Sequence, residues 1–148
     1  MDLSDLYQEI ILDHNKYPHN AHAMDDATHS AEGHNPLCGD EIKVFLKLEG
    51  DRIVDVSFVG EGCAISKASA SLMTDRIKGK TLDELKAEST FVREILNAEE
   101  DPELDLAEVG DLAALSGVRQ FPARIKCASL AWHAVEAALR GDTEISTE

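Results

Sequence analysis

Apolar and polar residues alternate along one central stretch of the chain, which predicts two paired β-strands. Between Glu41 and Glu49 every second residue is apolar, with Phe45 as one extra apolar residue, and a period of two is typical of a half-buried strand. The alternation resumes between Arg52 and Val59, and Gly50-Asp51 between the two stretches suits a tight turn. The sequence therefore predicts an antiparallel hairpin whose open ends lie side by side.

The pairing register of this hairpin has two solutions at the level of sequence. A two-residue turn continued without interruption sets Cys38 opposite Cys63, with Cβ atoms about 5 Å apart. That register puts Leu46 and Val56 on opposite faces of the sheet, which spoils the apolar side. A three-residue loop, or a bulge near Val54-Asp55, restores the match and shifts the far end by one residue. In either case we expect the two cysteines to converge at the open end.

Helical periodicity and capping residues predict the rest of the fold. The predicted helices cover residues 4–15, 65–77, 81–87, 90–98 and 122–140. We expect irregular chain from 16 to 35, an acidic insertion at 98–117 that is a solvated linker with one helical turn at 112–115, and a frayed tail at 142–148. The elements predict a single α+β domain over residues 1–148, in which a small antiparallel sheet of about three strands packs against several α-helices.

Charge and hydropathy exclude several classes of function. The formal net charge is −15, which would repel the phosphates of nucleic acids and of anionic membranes. Apolar runs long enough to span a bilayer are absent, and residues 1–5 are acidic where a signal peptide would be basic. We therefore expect a cytoplasmic protein, without nucleic-acid or membrane partners, whose three cysteines remain thiols.

Three cysteines and one aspartate form a candidate metal site. Cys38 and Asp40 precede the first strand of the hairpin, Cys63 follows the second strand, and Cys127 lies in the second turn of the last helix. Three thiolates and a carboxylate suit Zn²⁺. The alternative is that these are three small buried apolar side chains. The position of two cysteines in glycine-containing loops favours the metal site, because packing rarely demands cysteine there.

Other polar residues are weaker candidates. Arg124 and Lys126 flank Cys127 and would stabilise thiolate or persulfide charge, although both could equally be solvent-facing helix cations. We expect the histidines of the irregular segment to be solvated rather than metal-bound; these are His19, His22, His29 and His34. Ser66 and Lys67 are expected only to open their helix, and His133 to be a packed or surface residue.

Three segments of the chain resemble the signature segments of the SufU/IscU family, which assembles iron–sulfur clusters. They are Asn35–Asp40 (NPLCGD), Gly60–Ser71 (GEGCAISKASAS) and Ala123–Trp132 (ARIKCASLAW). Residues 6–19 are also similar to the first helix of that family, so the resemblance covers nearly the whole chain. It implies an α+β fold and a role in iron–sulfur cluster biogenesis.

Two features resemble the SufU branch in particular. Lys126 stands where IscU-type scaffolds carry a histidine, and the connection between Cys63 and Cys127 is longer. This resemblance implies Zn²⁺ bound by Cys63, Cys127, Cys38 and Asp40. It also implies that Cys38 accepts persulfide sulfur from a SufS-type cysteine desulfurase and passes it to downstream Fe–S assembly proteins, as a sulfurtransferase that carries sulfur rather than a free-standing enzyme.

Alternatives from other classes remain at this stage. In the first, the chain is a scaffold on which Cys38, Cys63 and Cys127 carry a 2Fe–2S cluster or iron before the cluster passes to apo-proteins. A purely structural zinc adaptor fits less well, because a carboxylate ligand is unusual in structural sites. A zinc hydrolase would need an open water position, which four protein ligands do not leave.

Overall fold

A computed structural model describes residues 3–100 and 102–146 of the chain. The described residues form five α-helices, one 3₁₀ helix and four strands. In chain order these are α1 (Leu3–Lys16), β1 (His29–Asn35), β2 (Asp40–Glu49), β3 (Arg52–Glu61), α2 (Ala64–Ile77), α3 (Leu82–Leu96), α4 (Leu106–Val109), the 3₁₀ helix (Gly110–Gln120), α5 (Pro122–Arg140) and β4 (Glu144–Ser146). The predicted α+β class, with a small sheet against several helices, is confirmed.

The β2–β3 hairpin contains both a two-residue turn and a bulge. Glu49 pairs with Arg52 across Gly50-Asp51, and the register then shifts so that Leu46 faces Val56. The extra residue sits on β3 at the place where the apolar mismatch required it. Of the two alternatives, the bulge is confirmed, and it brings both hairpin ends together one residue out of the uninterrupted register.

The sheet has four strands in the order β3-β2-β1-β4, and two of them were missed by the pattern. Residues 29–35 were expected to be irregular but form β1, which pairs antiparallel with β2. This strand was missed because it contains few apolar residues: apart from Gly33, Ala31 is its one buried apolar residue. Gly33 lets α5 lie close, since a Cβ there would stand 3.0 Å from Leu130 Cδ1.

The expectation of a frayed C-terminal tail is wrong for the residues that the structure describes. Glu144–Ser146 forms β4, which pairs parallel with β1 from Glu32 to His34. The backbone supplies the reason: Gly141 ends α5 in the left-handed conformation (φ 87°) and turns the chain back toward the open edge of β1. Residues 147 and 148 lie outside the described part of the chain.

Helix boundaries differ from the expectations in two further places. The region 82–96 is one continuous helix, α3, rather than two short ones. The single turn expected at 112–115 is part of a 3₁₀ helix of eleven residues, Gly110–Gln120. Apolar side chains of this segment are buried in the core, among them Leu112, Leu115 and Val118. This packing stabilises a longer helix than the weak helical propensity of the segment predicts. The acidic residues before it, Glu99, Glu100 and Glu103, are exposed as expected.

The core lies between the inner face of the sheet and helices α2 and α5. Ile42, Val44 and Phe58 from the sheet are fully buried against these helices. Helices α2 and α5 lie close together: Ser69 Oγ on α2 donates a hydrogen bond of 2.5 Å to the backbone oxygen of Ala128 on α5. This packing places the beginnings of α2 and α5 near the open end of the hairpin. None of the described helices has the length and apolar character needed to cross a membrane.

Candidate metal centre

Asp40 connects the two ends of the hairpin. It is buried at the start of β2, and its Oδ1 accepts the backbone N–H of Cys63 at 2.8 Å. Its Oδ2 lies 3.9 Å from Cys63 Sγ. Gly62 makes this approach feasible, because a Cβ at that position would stand 2.4 Å from Asp40 Oδ1. Asp40, Gly62 and Cys63 therefore hold the two strand ends of the hairpin together.

Cys63 is the N-cap residue of α2. Its Sγ accepts the backbone N–H of Ser66 at 3.4 Å. The free N–H groups at a helix N-terminus interact favourably with negative charge placed there. Ser66 was expected to open the helix, and its backbone N–H makes the capping bond to Cys63 Sγ. Its buried hydroxyl has no hydrogen-bond partner among residues 3–100 and 102–146.

Cys127 is the most deeply buried of the three cysteines. Its side chain is inaccessible to solvent, and Asn35 Nδ2 donates to its Sγ at 3.4 Å. The same nitrogen lies 3.5 Å from Asp40 Oδ2. Burial raises the pKa of the Cys127 thiol well above its usual range, and the neighbouring Asp40, Cys38 and Cys63 raise it further. A positive charge in the cluster would favour deprotonation of this sulfur.

Asn35 is a site residue that the sequence analysis did not single out. It is 1% exposed at the end of β1, and its Oδ1 has no hydrogen-bond partner within the described part of the chain. Its amide bridges Cys127 and Asp40, which orients both side chains toward the same point. The signal was available in principle, because Asn35 opens the NPLCGD segment that carries two of the predicted ligands.

Cys38 is partly accessible to solvent, as is Cys63. It lies half-buried in the turn between β1 and β2, where Gly39 adopts a left-handed φ of 69°. Arg124 Nη1 donates to Cys38 Sγ at 3.5 Å. The cysteine sulfurs raise the pKa of the Arg124 guanidinium, with a hydrogen bond to Cys127 as the largest cause and the charge of Cys38 next. Arg124 is therefore the cation that faces the thiols.

Lys126 does not take part in the same way. Its side chain is exposed, and no other described residue forms a hydrogen bond or an ion pair with its ammonium group. Lys126 and Arg124 lie on different sides of α5, since residues two apart on a helix do not share a face. The structure thus separates the two candidate cations: Arg124 contacts a sulfur, whereas Lys126 matches the alternative of a solvent-facing helix cation.

Three of the four predicted ligands meet at one place: ligand atoms of Cys38, Asp40 and Cys127 all lie within 4.8 Å of one another. Cys63 is not part of that group, but its Sγ lies 3.9 Å from Asp40 Oδ2. Ligand atoms around a tetrahedral zinc ion are roughly 3.3–3.8 Å apart, as its bond lengths require. Small side-chain rotations would reach that spacing. The donor set, three sulfurs and one carboxylate oxygen, therefore fits Zn²⁺.

Comparison with known proteins identifies the class to which this fold and thiol cluster belong. Residues 6–128 match the family model of the NifU-like N-terminal domain, and the chain belongs to that family. The zinc-dependent sulfurtransferase SufU of Bacillus subtilis is 45% identical over 136 residues, which cover 91% of this chain and 90% of the relative. The iron–sulfur cluster assembly scaffold protein IscU of Streptococcus pyogenes is 40% identical over 138 residues, which cover 93% and 85%.

A solved structure shows the same architecture. A candidate iron–sulfur cluster assembly scaffold protein for the SUF system from Fervidobacterium islandicum superposes with a TM-score of 0.81 at 34% identity, covering 93% of this chain and 99% of that one. A further crystal structure, of a hypothetical protein, gives a TM-score of 0.82 at 39% identity, with 93% and 99% covered. The resemblance to the SufU/IscU family is thus confirmed by sequence and by fold.

Proposed function

We propose that this chain acts in iron–sulfur cluster biogenesis as a zinc-bound sulfur acceptor and carrier. It takes persulfide sulfur from a SufS-type cysteine desulfurase and passes it to downstream Fe–S assembly proteins. The observation that carries the proposal is the convergence of Cys38, Asp40 and Cys127 within 4.8 Å, with the partly accessible Cys38 beside Arg124. The 45% identity to a zinc-dependent sulfurtransferase supports it.

The four ligand candidates divide into a fixed part and an exchangeable part. Cys127 is buried and hydrogen-bonded to Asn35, and Cys63 is fixed as the N-cap of α2. Cys38 lies in a turn and is partly accessible, so its sulfur can be exposed without unfolding a helix or strand. When bound by Cys38, Asp40, Cys63 and Cys127, Zn²⁺ supplies positive charge that keeps the thiols deprotonated at neutral pH and has no redox chemistry of its own.

The transfer step is an exchange between a thiolate and a persulfide. Cys38 Sγ attacks the terminal sulfur of the partner's persulfide and forms a new S–S bond. The S–S bond within the partner breaks, and the partner's cysteine leaves as a thiolate with that electron pair. The oxidation level of the transferred sulfur is unchanged, so no oxidant or reductant is consumed. Arg124 donates to Cys38 Sγ and stabilises negative charge there before and after the transfer.

The environment in which this chemistry operates must be reducing. The three cysteines form no disulfide, and the mechanism needs a thiolate at Cys38. We therefore place the protein in the cytoplasm, where thiols are kept reduced. The formal charge of −15 also makes nucleic acid and anionic membranes poor partners, so its partners in this proposal are other proteins.

A second candidate function is a scaffold role. The 40% identity to an IscU scaffold protein favours it, and the same three sulfurs could hold a 2Fe–2S cluster as cargo. Anaerobic reconstitution with iron and sulfide separates the two roles. Visible absorption from a stable cluster, and a brown, air-tolerant Asp40→Ala protein, would favour the scaffold. A colourless zinc protein that stimulates a desulfurase favours sulfur transfer.

Replacement of the acceptor tests the proposal directly. In an assay with a SufS-type desulfurase and cysteine, wild-type protein should increase turnover and gain the mass of one sulfur atom at Cys38. Cys38→Ala should keep part of its zinc, because three ligands remain, but lose both effects. Lys126→Gln is the matched control, because its side chain contacts no sulfur and its variant should behave as wild type. Undiminished stimulation by Cys38→Ala would remove Cys38 from the acceptor role.

A further inference from the structure

Two histidines and one aspartate meet where the end of α1 and the loop after it contact α2, and Asp111 lies beside one of the histidines. His14 lies near the end of α1, His19 in the loop that follows, and Asp75 on α2. One ligand atom from each of these three residues lies within 4.8 Å of the others, and the two imidazole rings are 4.6 Å apart between centroids. His19 was expected to be a solvated loop histidine, but the fold pairs it with Asp75 on a helix more than fifty residues away.

His14 is the fixed member of this group. Its side chain is 6% exposed, and its Nδ1 lies 2.7 Å from Ser71 Oγ. Ser71 Oγ also accepts the backbone N–H of His19 at 2.8 Å, so one hydroxyl orients both histidines. A hydrogen bond at one ring nitrogen leaves the other for a metal ion, and metal-binding histidines are usually held in this way. The remaining nitrogen, Nε2, lies 3.7 Å from Asp111 Oδ2.

His14 lies beside three groups that influence its pKa. Burial lowers the pKa of His14 and the neighbouring His19 lowers it further, while the nearby Asp75 and Asp111 partly oppose this. The neutral imidazole is the form that binds metal ions.

The remaining side chains provide an entrance. The side chains of His19, Asp75 and Asp111 are 53%, 44% and 66% exposed, so an ion can reach them from solvent. His19 Nδ1 and Asp75 Oδ2 are paired at 2.5 Å, and Asn20 Nδ2 lies 3.5 Å from the other oxygen of Asp75. Exposed side chains can rotate to bring their ligand atoms to the spacing of roughly 3.3 Å that a tetrahedral ion with nitrogen and oxygen ligands requires.

From this geometry we propose that His14, His19 and Asp75 bind a divalent transition-metal ion, with Asp111 as the fourth ligand. Two imidazoles and two carboxylates suit Zn²⁺ and related ions rather than Mg²⁺ or Ca²⁺, which prefer all-oxygen sites. The site is separate from the cysteine cluster: Asp75 follows Cys63 by twelve residues along α2, roughly 18 Å on a helix. Bound metal would join α1, the following loop, α2 and the 3₁₀ helix.

Binding of Zn²⁺ at this site can be measured in the full chain by two readouts. Equilibrium dialysis against ZnCl₂ gives the number of ions per chain and their affinities. Nitrogen NMR of the imidazole rings, recorded during the same titration, reports which histidines bind. We expect wild-type protein to bind a second equivalent of Zn²⁺ after the cysteine cluster is filled, with shifts at the ring nitrogens of His14 and His19.

The variants are chosen at exposed positions so that folding is preserved. His19→Ala and Asp75→Asn should each weaken the second binding event by about tenfold or more, because each removes one of four ligands. His22→Ala is the matched control: it removes a histidine of the same loop, whose ring nitrogen contacts the backbone oxygen of Ala23, and it should bind as wild type. The NMR arm is independent of the cysteines, so it remains informative even where sulfur transfer fails.

Two results would overturn the proposal. Binding of a single equivalent by wild-type protein, with imidazole shifts unchanged, would mean that His19 and Asp75 form an ordinary surface ion pair. A second equivalent that persists with the same affinity in both His19→Ala and Asp75→Asn would place that ion elsewhere on the acidic surface.

Discussion

The guanidinium of Arg124 lies 3.5 Å from Cys38 Sγ, although 86 residues separate the two in sequence. The contact joins the first turn of α5 to the loop before β2, and it places a permanent positive charge beside the accessible thiol. Within the described residues, Lys126 makes no comparable contact. The difference between these two neighbouring cations gives the first prediction its control.

Replacement of Arg124 by glutamine should slow sulfur transfer to Cys38. The variant keeps a polar side chain but loses the charge that stabilises the thiolate and the persulfide. Because the arginine is exposed and screened by solvent, we expect a modest decrease in the transfer rate, about fivefold or less, that shrinks further at high salt. Single-turnover transfer from a persulfidated desulfurase measures it. Equal rates for Arg124→Gln and Lys126→Gln would show that the 3.5 Å contact has no role in the reaction.

Asp40 should contribute to stability as well as to metal binding. Its Oδ1 accepts the Cys63 N–H, so Asp40→Ala leaves that donor without a partner. We expect the metal-free protein to lose about 1–3 kcal/mol of unfolding free energy. Asp40→Asn keeps an oxygen at the same position and should lose less, while both variants release zinc faster. Urea unfolding with chelator present measures the loss of stability, and zinc transfer to a coloured chelator measures the rate of zinc release. Equal stability of metal-free Asp40→Ala and wild type would contradict the predicted loss of unfolding free energy.

A methyl group at Gly62 should displace Asp40 from the cluster. The added Cβ would stand 2.4 Å from Asp40 Oδ1 and 3.0 Å from its Cγ, too close to be accommodated in place. We expect Gly62→Ala to weaken zinc retention by about tenfold, as for loss of a residue that orients a ligand.

The matched control for this variant is Gly39→Ala. A Cβ there meets nothing within 4 Å, but the left-handed φ of 69° costs about 1–2 kcal/mol in a residue other than glycine. Gly39→Ala should therefore lower stability while leaving zinc affinity closer to wild type than Gly62→Ala does. The same loss of zinc in both variants would mean that loop strain, rather than contact with Asp40, controls the site.

Glu136 should make stability depend on pH in the acid range. Its contact with His133, and hydrogen bonds from Ser89 at 2.5 Å and Arg93 at 3.0 Å, hold the pKa of Glu136 down to about 2, against an ordinary value of 4.5. Because the folded-state pKa lies below the unfolded one, the charged carboxylate stabilises the protein above about pH 4.5, and this stabilisation is lost as the pH falls toward 2.

Replacement of Glu136 by glutamine tests this dependence. We expect Glu136→Gln to cost about 1–3 kcal/mol at pH 6, with the difference from wild type disappearing near pH 2. Glu94→Gln, on the exposed side of α3, is the control and should change little at either pH. Urea unfolding of metal-free protein over this pH range measures both. A difference for Glu136→Gln that is the same at pH 6 and near pH 2 would show that the carboxylate does not act through its charge.

Elements with strong local signals could be predicted from sequence. Helix α5 was predicted with the bounds that the structure shows, because Pro122 and Gly141 mark its two ends. The hairpin bulge followed from the requirement that Leu46 and Val56 share a face. Strand β1 and the 3₁₀ helix could not be predicted, because the first carries few apolar residues and the second forms through contacts with distant parts of the core.

The candidate metal centre divides in the same way. The three cysteines and Asp40 were proposed as ligands from sequence because thiols and glycine-containing loops are visible there, and the structure brings Cys38, Asp40 and Cys127 together. Asn35 was not singled out, although it opens the NPLCGD segment, because its contacts with Cys127 and Asp40 depend on the folded structure. The contact between His19 and Asp75 was invisible for the same reason, because it depends on how α1 and the following loop lie on α2.

The short strand β4 connects the C-terminal part of the chain to the turn between β1 and β2 that carries Cys38. It covers the outer edge of β1, and β1 ends at Asn35, directly before the turn that carries Cys38. Removal of the residues that form β4, by proteolysis or by truncation, would therefore expose the edge of β1 and increase the mobility of the turn that carries Cys38, although none of the candidate ligands is removed. An affinity tag belongs at the other end of this chain.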